Sequence, residues 1–152
     1  HKMRTSLDLA SFNIVQENRD FLRSLLYEYV DIVFANEDEA RALTMEDPEN
    51  AVYEMAEYAS IAIVKTGAEG SLIRQDDTNY RIASFKTDVQ DTTGAGDLYA
   101  SGFLYGLVHN MSMDRCGQIG SFMASKVIEE VGAHIHDDRW PEIDKMLNAV
   151  IQ

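Results

Sequence analysis

The stretch "DIVFANEDEARALTM", Asp31–Met45, changes its period in the middle. Ile32–Ala35 form an unbroken apolar run, the pattern of a buried strand, and the acids from Glu37 onward open a short helix whose first turn they complement. A strand that passes directly into a helix is the repeating unit of layered α/β folds.

The same alternation extends in both directions. Upstream, "TSLDLA" alternates apolar residues as a strand does, and "NRDFLRSLLYEYV" has helical spacing through Phe21, Leu22, Leu25, Leu26 and Tyr29. Downstream, "DPENAVYEMAEYA" predicts a helix with Asp47 as cap and Pro48 in its first turn, and "SIAIVKT" predicts another buried strand. "SLIRQ" and "YRIASF" around a polar "DDTN" predict a hairpin. From Gly94 the chain is helical in three segments, "GAGDLYASGFLYGLVHN", "SMDRCGQIGSFMASKVIEEV" and "RWPEIDKMLNAVI". The expectation is an α/β fold with a mostly parallel central sheet flanked by helices, forming a single domain over residues 1–152 with no repeat or linker.

Bulk composition restricts function. The 152 residues, 45% of them hydrophobic, suffice for one substantial core. A formal charge of -13 excludes a nucleic-acid or anionic-membrane surface, since phosphate backbones need clustered cations. Any phosphate ligand must be held locally. One cysteine, Cys116, rules out an internal disulfide and fits a reducing compartment, so the expectation is a soluble, cytoplasmic protein without signal peptide or membrane span. The opening "HKMR" resembles the end of a preceding helix, which makes the chain the expected later portion of something longer.

Three segments carry chemistry. In "DTTGAGD", Asp91–Asp97, two glycines permit backbone geometry closed to other residues, and the first-turn amides of the following helix have no intrahelical partner. Thr93 could cap that helix alone. The amides form an anion hole reinforced by the helix dipole, and Asp97 stands beside it. A carboxylate there repels phosphate unless it takes the proton of an attacking alcohol. The alternative is a glycine-rich helix start with a favourable first-turn acid, and this motif alone leaves both open.

In "NEDEA", Asn36 and Glu39 fall one helical turn apart at a strand's end, where α/β sheets bind ligands and where oxygen groups suit Mg²⁺ through its waters. Taken singly, Asn36 as a helix cap explains it as well. In "VKTGAEGS", Gly67 and Gly70 allow close backbone approach and Lys65 offers a cation to phosphate, although a turn into the next strand would look the same.

In this order, the three segments resemble the ribokinase-like (PfkB) family of sugar and nucleoside kinases: "DTTGAGD" is similar to its second signature, "NEDE" to its Asn-x-x-Glu element and "VKTGAEG" to its nucleotide-binding turn. The resemblance implies an ATP-dependent kinase with Asp97 as catalytic base and the amides around Gly94, Ala95 and Gly96 stabilising the transferring phosphate. It implies that Asn36 and Glu39 organise Mg²⁺ and its waters, and that Lys65, Gly67 and Gly70 line the nucleotide site. Adenine would lie against the helix containing Ser121, Ala124 and Ser125. A K⁺ site would fall at Asp91 and Thr93 with backbone carbonyls near Val127, Glu130 and Gly132. The implied partner is a small sugar or nucleoside, with a homodimer as the assembly in view. Members of the family are about twice this length, so the resemblance covers their later, ATP-binding half.

Other features point elsewhere. His134 and His136 lack a third ligand for zinc. Gly102 and Gly106 form a GxxxG whose apolar run is too short for a membrane helix, which leaves close packing within the fold. A dinucleotide-binding fold lacks its third glycine and its apolar lead-in strand, and no GxxxxGK[ST] marks a P-loop. The rival from another class is a non-catalytic nucleotide-binding or interaction module, which has no use for Asp97.

Overall fold

A computed structural model describes residues 3–151. His1 and Lys2 of "HKMR" lie outside the described residues, and Met3–Thr5 have no regular structure. The chain forms two compact units, His1–Arg81 and Ile82–Gln152.

The first unit is built on a sheet of order β1-β2-β3-β4-β5: β1 (Ser6–Asp8), β2 (Ile32–Asn36), β3 (Ile61–Lys65), β4 (Ser71–Gln75) and β5 (Thr78–Ile82). β1, β2 and β3 run parallel, with Asp8 opposite Phe34 and Asn36 opposite Lys65, while β4 turns antiparallel to β3. The sheet is therefore mixed: three parallel strands and an appended hairpin. Helices α1 (Phe12–Glu17), α2 (Arg19–Tyr29), α3 (Glu37–Thr44) and α4 (Pro48–Tyr58) supply Val15, Leu26, Leu43, Val52 and Met55 to a core shared with Val33, Ala35, Ala62 and Val64 of the sheet. The alternate strand positions Ile32, Phe34, Ile61 and Ile63 are buried as well, which accounts for continuous rather than alternating hydrophobicity.

In the first unit, two details differ from the sequence expectation. α1 is an additional helix of six residues, too short for its periodicity to register, and it ends where the Asn18 side chain donates to the Ile14 carbonyl (2.9 Å). The hairpin turn is only Asp76-Asp77, with Asp76 at φ 51°, and Thr78 and Asn79 already belong to β5. Asn79 is drawn into the strand by Arg74, which donates to its side-chain oxygen (2.9 Å), while its own amide donates to the Tyr53 hydroxyl (2.7 Å). Asp47 caps α4 by accepting from the Asn50 amide, with Pro48 first in the helix as its fixed φ favours.

The second unit contains α5 (Ala95–Val108), α6 (Met113–Val127) and α7 (Trp140–Ile151). Its core joins Ile119, Phe122, Met123 and Val127 of α6 to Ile135 and Ile143. α5 and α6 meet along glycines: a Cβ on Gly102 would lie 2.8 Å from the Ile119 carbonyl oxygen, and one on Gly106 would lie 3.0 Å from the Cys116 Cα. The GxxxG is thus a packing seam. α6 ends at Val127, four residues short of the expected Val131, and Glu129 and Glu130 beyond it are engaged in ion pairs.

Among the described residues, no helix is long and apolar enough to cross a membrane.

Candidate functional site

In the first unit, the C-terminal ends of three adjacent parallel strands carry Asp8, Asn36 and Lys65. Asn36 and Glu39 form a complete capping box: the Glu39 amide donates to Asn36 Oδ1 (2.9 Å), and the Asn36 amide donates back to Glu39 Oε2 (2.8 Å). The Asn36 side-chain amide adds a third bond, to Glu39 Oε1 (2.9 Å). Glu39 is 4% exposed, and burial pushes its pKa up, while the Asn36 backbone bond and the Lys65 ammonium pull it down.

Lys65 does not extend freely into solvent: its Nζ donates to Asp8 Oδ2 at 2.7 Å. Asp8 was missed by sequence reasoning. Its signal is position alone, since it ends β1 as Asn36 ends β2 and Lys65 ends β3. After Lys65 the chain makes the tight turn Gly67–Glu69, closed by the Thr66 amide donating to the Gly70 carbonyl (2.8 Å). Gly67 and Gly70 have φ of 55° and 102°, and beyond Gly67 itself and its two chain neighbours no heavy atom lies within 4 Å of the place a Gly67 Cβ would occupy. The turn reading is correct, and the turn also leaves open backbone at the strand end.

Among the described residues, no group of three or more His, Cys, Asp or Glu side chains could hold a metal ion directly. The donor chemistry of Asn36, Glu39 and Asp8 suits a hydrated Mg²⁺, which keeps several of its waters.

In the second unit, the helix start of the opening motif is built around Gly94. Gly94, at φ 81°, is the N-cap of α5, and its carbonyl accepts from the Leu98 amide (2.9 Å). Thr93 does not cap: its amide (2.9 Å) and hydroxyl (2.7 Å) both donate to Asp91 Oδ1. The other carboxylate oxygen of Asp91 accepts from the Gly132 amide at 2.9 Å. These bonds, the Thr93 hydroxyl's first, hold the Asp91 carboxyl below the usual range.

Of the amides expected around Gly94, Ala95 and Gly96, that of Ala95 donates to the Thr92 carbonyl (3.2 Å), whereas Gly96, and Asp97 after it, stand in the first turn, where the helix offers their amides no acceptor. Asp97 is exposed. The first-turn amides that the helix leaves without an acceptor thus include those of Gly96 and Asp97.

Asp91, Thr93 and Gly132 of the implied K⁺ set are brought together by direct bonds, and Val127 and Glu130 are joined by the Glu130 amide donating to the Val127 carbonyl (3.2 Å). Ser121 and Ser125 are buried and donate to the carbonyls of Ala83 (3.0 Å) and Phe122 (2.6 Å); Ala124 between them is partly exposed. Beyond the motif, Glu129 accepts from the Thr87 hydroxyl, Lys126 and Arg139, and Arg139 also donates to Glu130 (2.7 Å). Burial pushes the Glu129 carboxyl up, yet these three donors together bring it down to about 2.

A family model described as pfkB family carbohydrate kinase matches residues 7–139. An uncharacterized sugar kinase of Archaeoglobus fulgidus is 39% identical over 103 residues, 67% of this chain and 41% of the relative. A probable sugar kinase from Rhizobium etli superposes with a TM-score of 0.89 at 34% identity, covering 96% of this chain and 45% of that one. An adenosine kinase from Sinorhizobium meliloti does so with a TM-score of 0.87 at 33% identity, over 94% and 45%. The chain spans less than half the length of each of these relatives.

Proposed function

The chain belongs to the pfkB family of carbohydrate kinases, and from that premise we propose that it is the ATP-binding, base-carrying part of a single kinase domain that transfers phosphate to a hydroxymethyl group of a sugar or nucleoside. The observation that carries this reading is the start of α5: the left-handed Gly94 cap turns the chain so that Asp97 and two first-turn amides share one helix end.

In the proposed reaction the acceptor hydroxyl oxygen attacks the γ-phosphorus of ATP. The bond from that phosphorus to the β,γ-bridging oxygen breaks, ADP departs, and the hydroxyl proton passes to an Asp97 carboxylate oxygen. Because the transition state of phosphoryl transfer is loose, Asp97 orients the alcohol more than it drives the attack. The Gly96 and Asp97 amides meet the charge on the equatorial oxygens, where fixed donors need no reorganisation.

Lys65 and the open backbone of Gly67 and Gly70 would receive the nucleotide, and Ala124, with Ser121 and Ser125, would back its base. Asn36 and Glu39 would hold the waters of Mg²⁺, which when bound neutralises phosphate charge. Asp91, Thr93 and the carbonyls near Val127, Glu130 and Gly132 form an all-oxygen set suited to K⁺. The three donors already on the Asp91 carboxylate keep it ionised for that purpose.

The test is Asp97→Asn in the complete gene product. Phosphoryl transfer should disappear while ATP affinity stays within roughly threefold, since the substitution removes a transition-state interaction only. Full activity in that variant overturns the assignment, and ATP binding without turnover in the unmodified protein favours the non-catalytic module.

A further inference from the structure

The ion network in the second unit ends at the motif. Arg139 closes the short turn Asp137–Arg139 before α7 and engages two consecutive carboxylates, with Nη1 donating to Glu130 Oε1 (2.7 Å) and Nη2 to Glu129 Oε2. Glu129 in turn ties the end of α6, through Lys126, to the segment leading into the motif, through Thr87. Between these two acids and the helix start, every link is a direct contact. The Gln90 amide donates to the Ile128 carbonyl (2.8 Å), the Gly132 amide donates to Asp91 (2.9 Å), and Ala133 lies where a Gly94 side chain would have to go, 3.0 Å from that Cβ position.

We propose that Arg139 is a positioning residue for the start of α5, acting through Glu129, Glu130 and the Gly132–Ala133 turn to fix where Gly94 and the amides of Gly96 and Asp97 lie. Arg139 lies outside the hydrophobic core: its side chain is 27% exposed beside an open cleft of about 610 Å³ whose other walls are Lys86, Thr87, Asp88, Gln90 and Glu129. What it supplies is geometry, because a planar guanidinium fork holds two carboxylates in fixed relation and an ammonium cannot. With the fork gone, Glu129 and Glu130 repel, the 128–133 segment drifts, and Gly132 carries Asp91 and the helix cap with it.

This inference rests on the reading of the α5 start as the phosphoryl-transfer site, and the test separates the two. In the complete gene product, Arg139→Met and Arg139→Lys are compared by kcat, by KM for ATP and by the ¹H–¹⁵N signals of Gly132 and Gly96. Arg139→Met should lower kcat about tenfold or more with KM for ATP within about threefold, as misplacement remote from the chemistry does. Arg139→Lys should recover part of that loss. The signals of both glycines should move in Arg139→Met while Cys116, buried between α5 and α6, stays closed to thiol reagents.

The proposal fails if the Gly96 signal and kcat are unchanged in Arg139→Met, or if kcat falls only together with exposure of Cys116, the mark of a structural role. If Asp97→Asn retains full activity, the reaction reading falls, whereas movement of Gly96 in Arg139→Met still establishes the linkage from Arg139 to the helix start.

Discussion

Gly94 and Ala133 are in contact at the limit of close approach: a Cβ built on Gly94 would lie 3.0 Å from both the Cα and the Cβ of Ala133, at a φ of +81°. Gly94→Ala therefore meets two penalties, about 1–2 kcal/mol for a left-handed non-glycine residue and about 1–3 kcal/mol for overpacking. Gly67→Ala meets only the first, since its φ of +55° faces open space. Thermal denaturation should show the larger loss for Gly94→Ala, and phosphoryl transfer should fall with it because the helix start is displaced. Equal losses would mean that Ala133 yields freely.

The strands and most helices were legible because their hydrophobic period was long enough to be read, and "DIVFAN" into "EDEARALTM" appears in the structure with the expected break at Asn36. The Asn36–Glu39 spacing was legible too, but sequence could not say that the two residues are bonded to each other three times. What was hidden depends on contacts distant in sequence. Asp8 meets Lys65 across 57 residues, Gly132 meets Asp91 across 41, and neither partner carries a mark of the other. Thr93 looked like a cap because hydroxyl residues usually are, whereas here Asp91 claims its hydroxyl and leaves the cap to Gly94.

Asn36 caps α3, and its proposed role toward Mg²⁺ can be tested apart from that. Asn36→Ser keeps an oxygen for the Glu39 amide but loses the side-chain N–H that donates to Glu39 Oε1. Ser ranks with Asn as a cap, so the stability change should stay below about 1 kcal/mol. If Asn36 and Glu39 organise Mg²⁺, the Mg²⁺ concentration for half-maximal activity should rise several-fold in the same variant. An unchanged Mg²⁺ requirement would reduce the pair to a helix cap.

Acid should loosen the second unit first. Glu129, at about 2 against an ordinary 4.5, contributes stability that is complete above pH 4.5 and is lost as pH falls toward 2. Asp91 and Glu130 shift in the same direction, whereas Glu39 is raised, so protonation of Glu39 favours the folded state and opposes the trend. Urea midpoints measured between pH 6 and pH 3 should decline, and Glu129→Gln should flatten that slope. The same slope in both proteins would remove Glu129 from the account.

Burial pushes the Cys116 thiol up to about 11, so at pH 8 almost none of it is thiolate and its nucleophilicity is suppressed in the folded state. Native protein should label slowly with iodoacetamide and completely in denaturant. Rapid native labelling would show that the seam between α5 and α6 opens readily.

Along that seam, Gly102 and Gly120 each leave less than 3 Å between a hypothetical side chain and the opposing backbone carbonyl. Two helices in main-chain contact have no layer of side chains to shear. The helix whose first turn bears Asp97 and the helix bearing Ser121, Ala124 and Ser125 should exchange their amide hydrogens as one cooperative unit, with a common opening free energy. Any motion of Asp97 with its helix must then carry α6 with it, so the two helices move as one piece rather than as a hinge.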